Sequence, residues 1–163
     1  SALGKTPERE KVIDFTTSYA PFFQAVFGPK NLSVKSFDDL AGKTMAVTRG
    51  TIQDDALVKL APASLKIQRF EDDNATMAAF MTQQTQFVTV GAAVAAAALQ
   101  KNPKVDAEYK LLIKDSPNYV GLRKGETTLL NKVNEILRSA KQDGTLESYS
   151  QKWLGRGTGN LPD

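Results

Sequence analysis

Arg9 and the segment Arg49-Gly50-Thr51-Ile52-Gln53 are the two places where this sequence could receive a small anion. Arg9 carries an always-charged, planar fork of donors that matches a carboxylate through two parallel hydrogen bonds. Read alone, it is more simply a solvated arginine among the charged neighbours Glu8, Glu10 and Lys11. The second segment stands where a predicted strand, Thr44 to Thr48, passes into a predicted helix. Free N–H groups at a helix start favour an anion, and in open α/β sheets ligands lie beyond the carboxyl ends of the strands. The plainer alternative is that Thr51 caps its own helix.

Composition closes off most other chemistry. The 163 residues include no Cys and no His. Thiol nucleophiles, disulfides, Cys/His zinc sites, Ser-His-Asp triads and histidine proton shuttles are thereby excluded. Any catalysis would have to use carboxylate, lysine or hydroxyl groups, and binding is the favoured class. Asp54-Asp55 and Asp72-Asp73 resemble paired carboxylates. Each pair sits in the first turn of a predicted helix, where acidic residues are favoured electrostatically, so no catalytic residue, metal site or cofactor is assigned. Gly155-x-Gly-x-Gly follows a helix and is no dinucleotide fingerprint. Phe22-Phe23, Tyr149 and Trp153 read as packing residues.

The net charge of +3 is scattered along the chain, which gives no reason to expect nucleic acid. The longest apolar stretch, Ala92 to Leu99, is too short to span a bilayer, and no signal peptide is recognisable at the start, so no membrane insertion is expected.

The elements that would position these residues alternate between short β runs and helices, the rhythm of an α/β fold. Ala25-Val26-Phe27 reads as a strand ended by Gly28-Pro29. Ser36 opens a short helical turn through Leu40, closed by Gly42. After strand 44–48 comes a helix with Ala56, Leu57 and Leu60 on one face, stopped before Pro62. Leu65 to Phe70 alternates as a strand, and Asp73 caps a helix through Met81. Gln86 to Val90 is a buried-type strand, Gly91 opens a helix to Gln100, and Tyr109 to Ile113 is a further strand. From Thr44 to Ile113 the pattern is βαβαβαβ, one doubly wound unit. Asn118 to Leu122 then reads as a strand. Leu129, Leu130, Val133, Ile136, Leu137 and Ala140 form an apolar helical stripe that requires a partner surface. Asp143-Gly144-Thr145 breaks this helix before another, Leu146 to Leu154, and the tail from Gly155 is loop.

Three segments in order resemble the extracytoplasmic solute-binding proteins for polar amino acids that serve ABC importers (family 3). Thr6-Pro-Glu-Arg9 through Asp14-Phe15-Thr-Thr-Ser-Tyr19 is similar to the family's Thr-x-x-Arg…Asp-Phe-Ser-x-Pro-Tyr signature, with Ser18 in the place of its proline. Asp39-Leu-Ala-Gly42 through Arg49-Gly50-Thr51 resembles the first strand and helix start of its second lobe. Asp143-Gly-Thr-Leu-Glu-Ser-Tyr149 through Trp153-Leu-Gly155 resembles its closing helix.

The resemblance implies a type II periplasmic-binding-protein-like α/β fold, with lobe two complete and lobe one partial, since the family's opening βαβα segment has no counterpart. Residues 1–27 would be a lobe-one remnant carrying the ligand-site arginine, 28–118 lobe two, and 119–163 the return hinge strand and C-terminal helices of lobe one. It implies a clamp in which Arg9 holds a ligand carboxylate, with Ser1, Ala2 and Gly4 adding contacts beside it. Thr51, Ile52 and Gln53 would offer helix-start N–H groups and a side-chain contact. Gly91 would line the site where the family commonly carries an aspartate for the ligand's α-ammonium, so a zwitterion would lose its main cationic partner. Gly28, Asn118 and Tyr119 would lie at the hinge. The implied function is the substrate-binding component of an ABC importer, with an amino acid or related small carboxylate as ligand, a permease as partner and a periplasmic location. The uncovered lobe-one surface would be a candidate for self-association. A solute-binding-like dehydratase or a sensory ligand-binding module is the alternative on the same scaffold.

Overall fold

The computed structural model describes residues 3–163; the expectations placed on Ser1 and Ala2 lie outside them. In chain order the elements are α1 (Pro7–Glu10), β1 (Ile13–Phe15), β2 (Phe23–Gly28), a 3-10 turn (Phe37–Leu40), β3 (Thr44–Thr48), α2 (Ile52–Leu60), β4 (Lys66–Phe70) and α3 (Asp73–Met81). They continue with β5 (Phe87–Gly91), α4 (Ala92–Lys101), β6 (Glu108–Asp115), β7 (Gly121–Arg123), α5 (Thr127–Gln142) and α6 (Thr145–Leu154). The chain forms two compact units: Phe23–Asp115, and the segments up to Phe22 and from Ser116 onward.

The Phe23–Asp115 unit holds a five-stranded sheet in the order β4-β3-β5-β2-β6. β3 pairs in parallel with both β4 and β5, while β2 runs antiparallel to β5 and β6. Two apolar clusters cover its faces, as a doubly wound sheet requires. On one, Met77, Phe80, Ala92 and Ala95 of α3 and α4 pack with Phe23, Ala25 and Val88. On the other, Leu57 of α2 and Leu40 of the 3-10 turn pack with Val26, Val47 and Phe87.

The βαβαβαβ order was legible; the place of β2 was not. It lies in the middle of this sheet, so residues 23–27 belong with the second unit and not with a lobe-one remnant, and the unit closes at Asp115. Every residue of β2 but Gln24 is buried, because it is covered on both faces. Its apolar run was short in sequence but its pairing extends over all six residues, Phe23 to Gly28.

In the other unit β1 and β7 form a two-stranded antiparallel pair, Ile13 opposite Arg123 and Phe15 opposite Gly121. The expected strand at Asn118 to Leu122 is shorter and later. Asn118 and Tyr119 make only isolated bridges, to Ala20 and Leu3. The segment Thr16-Thr17-Ser18 is buried and ties the tail down. Thr17 Oγ1 donates to Asp163 (2.6 Å), Lys141 Nζ donates to Thr17 Oγ1 (2.7 Å), and the Ser18 N–H and hydroxyl both reach the Pro162 carbonyl. Gly157 belongs to the same closure, since a Cβ there would stand 2.3 Å from Glu147 Oε1.

Several side chains lie differently from the sequence reading. Asp72, not Asp73, caps α3 by accepting the Ala75 N–H. Leu60 is 44% exposed, and Tyr149 and Trp153 are more than half exposed, with Lys152 lying over the Trp153 ring. The α5 stripe buries none of its residues, and Leu129 and Ile136 stand open to solvent.

Candidate functional site

A tight turn at Gly50 and Thr51 joins β3 to α2 in the Phe23–Asp115 unit. Gly50 takes φ +67°, which favours glycine, and Arg49 N donates to the Phe70 carbonyl at 2.9 Å, holding β3 against β4 to its last residue. Thr51 then caps α2. Its hydroxyl donates to the Thr48 carbonyl (2.8 Å) and accepts the Asp54 N–H (3.3 Å).

Asp54 latches the same turn from inside. Its buried carboxylate accepts the Gly50 N–H at 3.2 Å and takes Arg69 Nε on both oxygens at 3.0 Å. A carboxylate at a helix start would oppose an incoming anion, but Arg69 neutralises this one. The N–H groups of Thr51, Ile52 and Gln53 find no acceptor among the described residues. These are the orphan donors of a helix N-terminus, and the dipole makes them favour negative charge. Ile52 holds its side chain outward at 61% exposure, whereas Gln53 is buried. Beside them, Thr48 Oγ1 donates to Asp73 (2.6 Å) and pairs with Thr76 Oγ1 (2.9 Å), which fixes the start of α3 to the end of β3.

Gly91 ends β5 one strand further along the same edge and is the N-cap of α4, which has no side-chain cap. Among the described residues only Gln24 Oε1 is a buried side-chain polar atom without a partner, and it lies against Gly91.

In the other unit, Arg9 sits on the single turn α1, with Thr6 accepting its N–H at 3.3 Å. The guanidinium is exposed and gives one Nη1 donor to the Gly4 carbonyl at 2.8 Å. No ion pair engages it among the described residues, so most of its fork remains available. Gly4 is set in place by the bridge between Leu3 and Tyr119, whose N–H groups and carbonyls exchange bonds of 3.1 and 2.9 Å. Tyr119 is buried, edge-on to Phe15 with Lys5 over its ring.

The hinge expectations fall in contrasting places. Gly28 is at the end of β2 remote from the crossing at Phe22 and Phe23, and its missing side chain makes room for Phe87. Asn118 and Tyr119 lie beyond the return crossing at Asp115 and Ser116, each tied by backbone bonds within its own unit.

No cluster of three or more metal-ligating side chains occurs among the described residues. The displaced carboxylates, Asp39, Asp143, Glu147 and Asp163, are all held below their ordinary values by hydrogen bonds that close local structure. The Asp54–Arg69 latch, the Thr48–Asp73–Thr76 link and Gln24 escaped the sequence reading. Each depends on which strands become neighbours, and only the acidic first turns of α2 and α3 gave any signal.

A two-faced α/β sheet with an anion-receptive helix start at the ends of its parallel strands defines a ligand-binding class of protein. Residues 1–156 match the model of the bacterial extracellular solute-binding proteins, family 3, and the chain belongs to that family. It is 29% identical over 150 residues to the L-cystine-binding protein TcyJ of Escherichia coli, covering 91% of this chain and 56% of that one. It is 27% identical over 160 residues to the ABC transporter arginine-binding protein 1 of Escherichia coli, covering 94% of this chain and 64% of that one. Among solved structures, an ancestral cationic amino acid solute-binding protein superposes with a TM-score of 0.76 at 29% identity, over 94% of this chain and 67% of that one. The chain thus spans a little over half the length of TcyJ. These relatives are binding proteins by name, and among the described residues no helix is long and apolar enough to cross a membrane.

Proposed function

We propose that this protein is the substrate-binding component of an ABC importer and captures a polar amino acid or related small carboxylate outside the cytoplasm. The observation that carries the reading is the start of α2, where three successive N–H groups find no acceptor among the described residues and the nearby Asp54 charge is cancelled by Arg69. Such a start is built for a carboxylate. Arg9, in the other unit, is read separately as a carboxylate partner, since its exposed fork has no competing carboxylate among the described residues. The family match and the names of the relatives support the ligand class. A permease partner, non-enzymatic action, a periplasmic location, self-association through the α5 stripe and hinge roles for Asn118 and Tyr119 belong to the same proposal.

The experiment is a titration of the purified protein with L-arginine, L-cystine, L-glutamine and other polar amino acids, read by melting temperature and calorimetry. At least one raises the melting temperature, and Arg9→Met weakens its binding by roughly 10- to 100-fold, the worth of a charged hydrogen bond. A panel in which no member shifts the melting would overturn the assignment.

A further inference from the structure

Gln24 stands on β2 directly opposite Gly91 of β5 and Lys114 of β6, at a point where the β2–β6 register slips. Its carboxamide lies over Gly91. A Cβ built at residue 91 would be 3.3 Å from Oε1 and 3.4 Å from Nε2, so the amide occupies the space a side chain there would take. Bulges of this kind re-aim side chains beside binding sites. Oε1 is buried and accepts no hydrogen bond from any described residue. A buried acceptor left unmade is costly, and native proteins rarely keep one without use.

Its position gives the use. β5 ends beside β3, and β3 runs directly into Gly50, Thr51 and α2. The carboxamide is therefore one to two strand spacings, roughly 5 to 10 Å, from the α2 start on the same sheet edge. A ligand whose carboxylate rests on α2 can place a neighbouring N–H or O–H on Oε1. Residue 91 supplies no side chain and α4 no side-chain cap, so nothing of their own competes for that contact.

We infer that Gln24 is a specificity-determining residue of the ligand site. Its Oε1 accepts the donor on the carbon next to the ligand carboxylate, whether α-ammonium or α-hydroxyl. The inference rests on the reading that α2 takes the carboxylate. Because the acceptor is neutral, it has no charge with which to demand an ammonium, and α-amino and α-hydroxy acids bind within roughly tenfold of one another.

The test titrates the ¹⁵N-labelled protein with L-arginine, L-cystine, L-glutamine and the α-hydroxy counterpart of each binder. The Gln24 side-chain amide signal is assigned by its loss in Gln24→Met. The backbone signals of Thr51 to Gln53 and the Gln24 amide shift together. Gln24→Met weakens binding roughly tenfold without lowering the melting temperature of the unliganded protein. Gln24→Glu, which keeps the shape and adds charge, widens the preference for the α-amino over the α-hydroxy acid. If the α2 signals respond but affinity is unchanged in Gln24→Met and selectivity unchanged in Gln24→Glu, the inference falls and the carboxylate reading stands. A Gln24→Met protein that melts lower without ligand shows that Oε1 serves the fold, which also overturns it. If no probe moves the α2 signals, the carboxylate reading itself fails and takes the inference with it.

Discussion

Gly28→Ala is the substitution that most directly separates packing from hinge action. The new Cβ would come within 2.4 and 2.5 Å of Phe87 Cδ1 and Cε1. Carbon atoms pack best at about 3.5–4.0 Å, so the overlap is roughly 1 Å or more. Phe87 cannot yield cheaply: it is fully buried among Val26, Leu40, Met45 and Leu57. Overpacking of this kind costs about 1–3 kcal/mol, offset by about 0.4–1 kcal/mol because alanine has less freedom than glycine to lose on folding. The net loss therefore lies between about 0 and about 2.6 kcal/mol, and the 2.4 Å approach to a fully buried ring places it toward the upper end. In urea, where stability falls by about 1–3 kcal/mol per molar, each kcal/mol lowers the midpoint by roughly 0.3–1 M.

The assay is a urea melt followed by far-ultraviolet circular dichroism and, separately, by fluorescence of Trp153, which lies on α6 in the other unit. The dichroism midpoint falls and the fluorescence midpoint moves less. Phe87→Leu in the same chain restores room, so the double variant is more stable than the two single losses predict, by about 0.5 kcal/mol or more. An unchanged dichroism midpoint with weakened ligand binding would refute this packing argument and return Gly28 to the hinge.

Two further outcomes follow from the same geometry. Asp54→Ala strips the Gly50 N–H and Arg69 of their shared acceptor and lowers stability by about 1.5–3 kcal/mol in a urea melt, toward the lower end because Arg69 is partly solvated. Asp54→Asn, which still accepts from Gly50, loses less; equal losses in both would show the turn is not held this way. Glu147 is held below its ordinary value of 4.5 by the Thr158 N–H first, then the Thr158 hydroxyl and Gln151. A depressed carboxylate stabilises fully above that value and loses its contribution as pH falls through its folded-state value. Melting temperature therefore drops as pH is lowered below about 4.5, and Glu147→Gln flattens that drop; an identical acid profile in the variant would count against the contact.

The helix start at Thr51 was legible because its causes are local. A glycine in the left-handed region, a hydroxyl cap and acidic residues in the first turn are all written within a few positions. So were the alternation of β3, α2, β4, α3, β5, α4 and β6 and the break at Gly144. Arg9 could be named as a donor fork, but its bond to the Gly4 carbonyl depends on how α1 folds back on the chain.

Other features were decided by strand neighbours. Nothing in Phe23 to Gly28 says that this segment inserts antiparallel between β5 and β6, yet that insertion places Gln24 over Gly91 and Gly28 against Phe87. Arg69 reaches Asp54 only because β4 pairs with β3. Sequence alone thus determined which donors and acids the chain carries and which it lacks, and so favoured binding over Cys- or His-based chemistry. Tertiary structure decided where the unpartnered Gln24 acceptor lies and which glycine packs against Phe87, because both depend on atoms brought together from strands far apart in the chain.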